Sequence, residues 1–407
     1  MASGPITGER RTSVQYIQMS DTQTTPYISM KALERMPVMS SSAPNRMGST
    51  KPPRPPARPT MPLMVPMFFG SYGWGLWFAF VIAINAIAFG LTRSHGRVAA
   101  LAWLGFLALL GPIAVGRIDV FTVALGVVVI ALTDSNPRIA GALIAVATWV
   151  KVWPIVLGLS SLLTTRARTI AYWAAGTAAA VGLIGVIVGG VDNVTSFLGD
   201  QQGRGIQVES VAATPWLWDA FTGGYSAVVF SQELLTFEIS GTSTAEVAAI
   251  LTLIEVLVLL ALATRIVLHR VRMVGEITTH ILGLSLTTLI TALIVFNKVG
   301  SPQFVSWLGV AVIALVIYWH SRWSSILLSL IGAIAFLTHI LYPYAYFEFL
   351  SLATGPLLIA TARNVLEVTL LVVAAYALVT ELRVEELSNE GRHRLVVDEE
   401  GVVPERG

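Results

Sequence analysis

Apolar runs near or above the ~18 residues expected of a helix that crosses a bilayer recur from Phe68 to Thr380. They fall at 71–92, 98–115, 119–133, 167–190, 246–267, 277–297, 303–319, 323–343 and 356–380. The runs are continuous rather than alternating, which excludes the strands of a membrane barrel. Only 12% of the residues are charged and 55% are hydrophobic, against about 25% charged in a soluble domain. The fold class is an all-α polytopic membrane protein.

Basic residues in short loops mark the cytoplasmic side. Arg93 and Arg97, Arg138, Arg166 and Arg168, Arg265, Arg270 and Arg272, and Arg322 all satisfy one orientation. That orientation forces 137–165, too long for one span, to leave and return to the same face. Lys151-Val-Trp-Pro154 lies at its middle, and a proline there removes a helical donor. Two short helices meeting at an outward apex bring the expected total to about eleven, with the carboxyl end cytoplasmic.

The ends of the chain differ from this bundle. Residues 1–60 carry eight bases against three acids and are rich in Pro, Ser and Thr; residues 381–407 carry eight acids against four bases. Neither shows periodicity, so both are expected to be unfolded tails flanking a transmembrane domain at 61–380. There is no cysteine, which excludes disulfides and thiolate chemistry. No cleavable secretory signal, no nucleic-acid platform and no metal-ligand spacing appears.

One polar interval, 191–245, breaks the apolar series, and it carries Arg204-Gly-Ile-Gln-Val-Glu-Ser210. The same orientation puts this loop on the outer face with Arg117, Asp119, Lys151, Lys298, Gln303 and Arg363. Cations at membrane depth are costly and usually face a cavity or a partner, the alternative being snorkelling to the surface. An outward cluster of Lys and Arg suits a phosphate attached to a lipid. Asp119 and Glu209 supply carboxylates for proton transfer from a sugar hydroxyl, unless Asp119 merely pairs with Arg117 and Glu209 with Arg204. Trp216, Trp218, Tyr225 and Phe237 either stack on sugars or anchor the boundary. Glu255 and Glu367, inside spans, relay protons or pair within the bundle.

Gly116-Arg-Ile-Asp119, Ala140-Gly-Ala to Lys151-Val-Trp-Pro154, Arg204 to Ser210, Asn297-Lys-Val-Gly-Ser-Pro-Gln303 and Ala362-Arg-Asn364, in that order, resemble the actinobacterial branch of glycosyltransferase family 87. The resemblance covers about residues 64–380. It implies a GT-C-like bundle and an inverting hexosyltransferase in a bacterial plasma membrane, active on its outer side. The donor implied is a polyprenyl phosphosugar, mannose by likeness, and the acceptor an envelope lipid or glycan. Lys151, Lys298 and Arg363 are then expected at the donor phosphate, and Arg117, Arg204 and Gln303 as polar pocket residues. Asp119 and Glu209 are the carboxylates left for catalysis.

Members of the family open with a further helix and an Asp-bearing outer loop that residues 1–60 do not match, so a truncated or frame-disturbed start is expected. Two other classes fit a polytopic bundle with charges: a catalytically impaired relative that binds lipid-linked sugar, and a transporter or flippase. Neither a clear internal repeat nor a Walker A motif supports transport.

Overall fold

The computed structural model of the chain describes residues 73–190, 204–232, 234–273, 280–318 and 322–400, the side chains of 74, 280 and 390–400 excepted. The expected tail at 1–60 and the first part of the 191–245 loop lie outside the described residues. Helix α1 (Gly73–Ser94) is followed by α2 (Arg97–Leu110), the single turn α3 (Ile113–Gly116), α4 (Asp119–Leu132), α5 (Pro137–Val150), α6 (Ile155–Ser161) and α7 (Ala167–Gly189). After the polar loop come α9 (Thr244–Arg272), α10 (His280–Val295), α11 (Leu308–Ile317) and α12 (Ser324–His339). The chain closes with α13 (Tyr346–Leu350) and α14 (Thr354–Glu400). Each of the eleven expected apolar segments has a helical counterpart, and among the described residues five are long and apolar enough to cross a membrane.

Helices that are apolar all round belong at the centre of such a bundle. α4 is buried from Thr122 to Ala131, α10 from Ile281 to Ala292 and α11 from Leu308 to Leu315. Their hydroxyls are satisfied locally: Thr287, Thr288 and Thr291 donate to carbonyls one turn back, and Ser160 and Ser285 share a 2.9 Å hydrogen bond between helices. By contrast, α7 and α9 turn most of their apolar surface outward, as helices facing lipid do.

Three boundaries depart from the expected spans, each for a local reason. The run 98–115 is cut because Gly111 adopts φ +67° and leads into Pro112; any side chain at Gly111 would collide with the His339 ring. The run 303–319 begins as a 3₁₀ helix, Pro302–Trp307, before α11. The tail expected to be unfolded from 381 instead continues α14 to Glu400. Arg265 of α9 donates to Glu386 at 2.8 Å, and buried His269 bridges Glu385 and Glu386, both at 3.0 Å. Those partners hold the first charged turns as helix, a tertiary pairing that periodicity does not reveal.

The break expected at Lys151-Val-Trp-Pro154 is present. Lys151 is extended (φ −156°, ψ 139°) at the end of α5, and Pro154 is the residue just before α6. Within the polar loop, α8 (Thr214–Phe221) precedes an antiparallel hairpin, β1 (Ala227–Ser231) with β2 (Thr236–Ser240). Val208 N–H donates to Phe237 O and Ile239 N–H to Ile206 O, so residues 206–208 extend the hairpin's edge. Ile206, Val208, Leu217 and Ile239 pack on Leu341, Phe349 and Leu357 in a second apolar core.

Candidate active site

Asp119 opens α4, where a carboxylate complements the helix dipole. It is 1% exposed, and two donors hold it through three hydrogen bonds: Lys151 Nζ at 2.7 and 2.8 Å on its two oxygens, and Trp307 Nε1 at 2.6 Å on Oδ1. The partner is therefore Lys151, not the neighbouring Arg117. Lys151 reaches it because the chain turns extended after Val150, and its ammonium also lies over the Phe304 and Trp307 rings, at 4.9 and 5.4 Å. Trp307 stacks between Phe304 and Trp153, with centroid distances of 4.3 and 5.3 Å. Trp153 in turn donates to Thr122 on α4. The apex of the α5–α6 break is thus fastened to the start of α4 by a charge pair and an aromatic stack.

Glu209 forms the second half. It is 6% exposed, and Tyr346 Oη donates to its Oε1 at 2.7 Å, while Oε2 is buried without a hydrogen-bond partner. Burial pushes this carboxyl above the ordinary carboxylate range; the Tyr346 hydrogen bond and the charges of Arg363 and Arg117 pull it partway back. Burial likewise raises the Tyr346 phenol, with the Glu209 charge adding to it. The pairing of Glu209 with Arg204 is not what the loop adopts. A cavity of about 10 Å³, the room one water molecule takes, is lined by Glu209, Ser301, Phe304, Arg363 and Glu367 among others.

Arg363, expected at a donor phosphate, is 2% exposed and engaged. It donates to the Glu209 carbonyl and to Asn364 Oδ1, and stands 3.6 Å from Glu367 one turn along α14. Its work is to fasten the 204–210 segment to α14, aided by Asn364, which donates to Ser210 O and Thr214 Oγ1. Glu367 is thereby paired within the bundle. Lys298 lies on the other flank. Its carbonyl accepts from Gln207 N–H, and its charge reaches Glu255, which itself accepts from Asn297 at 3.4 Å. Gln303 is half-buried, its carbonyl accepting from Ser306.

Arg117 and Arg204 are half-buried, and neither has a carboxylate within ion-pair distance among the described residues. Both lie within electrostatic reach of Lys151, and Arg117 also within reach of Glu209. Arg117, Lys151, Arg204 and Glu209 therefore form one cluster, to which Arg363 is joined through the Glu209 carbonyl and Lys298 through the backbone of Gln207. Of the aromatic candidates, Trp216 and Trp218 spend their indole N–H groups on Thr242 O and Thr361 Oγ1. Phe237 packs edge-on against Tyr346, whereas Tyr225 is 97% exposed.

The contacts that Trp307, Trp153 and Tyr346 make in the cluster have no signal in the sequence. Aromatic residues at span ends read as interface anchors, and only the proximity of Trp307 to the 297–303 motif set it apart. Gly300 is likewise defined by packing: a Cβ there would collide with the backbone of Ser210, so only glycine lets the two motif loops touch.

A bundle of apolar helices, five of them long and apolar enough to cross a bilayer, defines a multi-pass membrane protein. The profile of glycosyltransferase family 87 matches residues 55–292, more than half of the chain, and the chain belongs to that family. No curated protein and no solved structure matches it.

Proposed function

We propose that this membrane glycosyltransferase uses a polyprenyl phosphosugar, mannose by its resemblance, and transfers the sugar to an envelope lipid or glycan at the outer side of the bacterial plasma membrane. The observation that carries the donor class is the convergence of Arg117, Lys151 and Arg204, of which only Lys151 has a carboxylate partner among the described residues. Two uncompensated guanidinium groups beside an ammonium are suited to a phosphate, which Arg binds through paired donors. Arg363 and Lys298, each with its own structural engagement, are assigned to support rather than to the phosphate.

In the proposed reaction an acceptor hydroxyl oxygen attacks the anomeric carbon. The bond from that carbon to the phosphate oxygen breaks, its electron pair leaving on polyprenyl phosphate. A single displacement of this kind inverts the sugar carbon. The hydroxyl proton passes to a carboxylate, and Glu209 is better suited than Asp119. Three hydrogen bonds from Lys151 and Trp307 already occupy Asp119, which weakens it as a base, whereas Glu209 keeps an unpartnered oxygen and a raised proton affinity. The cations stabilise the charge that develops on the departing phosphate.

Arg117→Gln and Arg204→Gln test the donor site, since each removes a cation without leaving a buried carboxylate unpaired. Each is expected to raise the KM for polyprenyl phosphosugar at equal expression, with Arg97→Gln as a control at an exposed position. Unchanged KM values in both variants would refute the phosphate assignment.

A further inference from the structure

We infer that the opposite end of α5 and α7 is a second anion site, which holds the headgroup of an anionic phospholipid. Gly141 on α5 meets the Ile170 carbonyl so closely that no side chain fits there, and eight residues on, Trp149 Nε1 donates to Ala178 O at 3.1 Å. The two helices therefore run parallel and begin side by side. Arg138, in the first turn of α5, and Arg168, in the first turn of α7, consequently share a groove of about 590 Å³ completed by Thr169, Tyr172 and Trp173.

No acidic side chain lines this groove, and neither arginine has an ion-pair partner among the described residues. Both are exposed. α7 is a membrane-crossing helix starting at Ala167 with little of its apolar stretch buried, so Arg168 stands where hydrocarbon gives way to headgroups. Tyr172 and Trp173, 76% and 41% exposed, lie one turn deeper, at the depth where aromatic rings favour the interface. A phosphodiester on a lipid satisfies both features together: its charge meets two guanidinium groups, and its acyl chains follow the apolar flank of α7. Free phosphate satisfies only the first. Arg138 lies about 20 Å along α5 from Lys151 at a helical rise of ~1.5 Å per residue, so the site is separate from the cluster at the other end. It does not depend on the transferase reading.

The test is native mass spectrometry of the full-length protein released from nanodiscs that mix phosphatidylglycerol with phosphatidylcholine. The wild type is expected to retain phosphatidylglycerol in preference to phosphatidylcholine. Arg138→Gln/Arg168→Gln is expected to bind it roughly thirtyfold more weakly, the effect of two arginines at a membrane surface. Each single variant should fall between, and Arg93→Gln/Arg97→Gln, at exposed positions on other helices, should match the wild type. Inorganic phosphate should not displace the lipid. Equal retention by the Arg138/Arg168 double variant, equal retention of phosphatidylcholine, the same loss in the control pair, or displacement by inorganic phosphate would each overturn the inference.

Discussion

The pair between Asp119 and Lys151 is the most strongly determined contact in the cluster, and a double-mutant cycle reads its strength. At 2.7 Å and an effective dielectric constant near 20, the Coulombic attraction is roughly 6 kcal/mol. Desolvation of both ions offsets most of it. Removing one partner of a buried pair typically costs about 3–5 kcal/mol, but the two halves are not equivalent here. Lys151→Met strands a carboxylate that is 1% exposed and keeps only Trp307 as a donor, so a loss of about 3–4 kcal/mol is expected. Asp119→Asn leaves an ammonium that is 25% exposed and can reach water, and should cost about 2 kcal/mol. The double variant should lose less than the sum, with a coupling of roughly 2 kcal/mol. Equilibrium unfolding in mixed micelles, followed by tryptophan fluorescence, measures all three. Additivity within about 0.5 kcal/mol, or a larger loss for Asp119→Asn than for Lys151→Met, would refute the assignment of Lys151 to Asp119.

Gly300→Ala should destabilise the protein by about 1–3 kcal/mol, the usual cost of overpacking, and lower activity, because its Cβ would press on the backbone of Ser210; an unchanged melting temperature and rate would contradict the close contact of the two loops. Glu209→Gln should depress transfer by roughly 10²–10⁴-fold, the range for loss of a general base. Its stability relative to the wild type should depend on pH in one direction only. Because the folded carboxyl titrates above its unfolded value of 4.5, the wild type's advantage is complete below that pH and is lost as pH rises through the folded value. The glutamine variant should therefore gain on the wild type with increasing pH, and a gain on acidification instead would contradict the burial argument.

Much of the bundle is legible in the sequence because apolar length and loop charge report directly on helices in a bilayer. The break at Pro154 falls where the proline puts it. Partnerships inside the cluster are not legible in the same way. Asp119 lies two residues from Arg117 yet pairs with Lys151, because the first turn of α4 points the carboxylate toward the α5–α6 apex. Arg363 reads as a free cation in an apolar run, but the loop carbonyl of Glu209 and Glu367 claim it. The helical course of residues 381–400 depends on Arg265 and His269 more than a hundred residues earlier, a tertiary effect with no local pattern.

In the proposed reaction this member of glycosyltransferase family 87 moves sugar from a lipid phosphate held by Arg117, Lys151 and Arg204, with Glu209 as the base. The decisive assay gives purified full-length protein in nanodiscs radiolabelled polyprenyl phosphomannose and an extract of envelope lipids and glycans. Labelled acceptor is expected from the wild type, and at least about a hundredfold less from Glu209→Gln. Transfer at equal rates by both proteins, or no transfer from any polyprenyl phosphosugar, would contradict it.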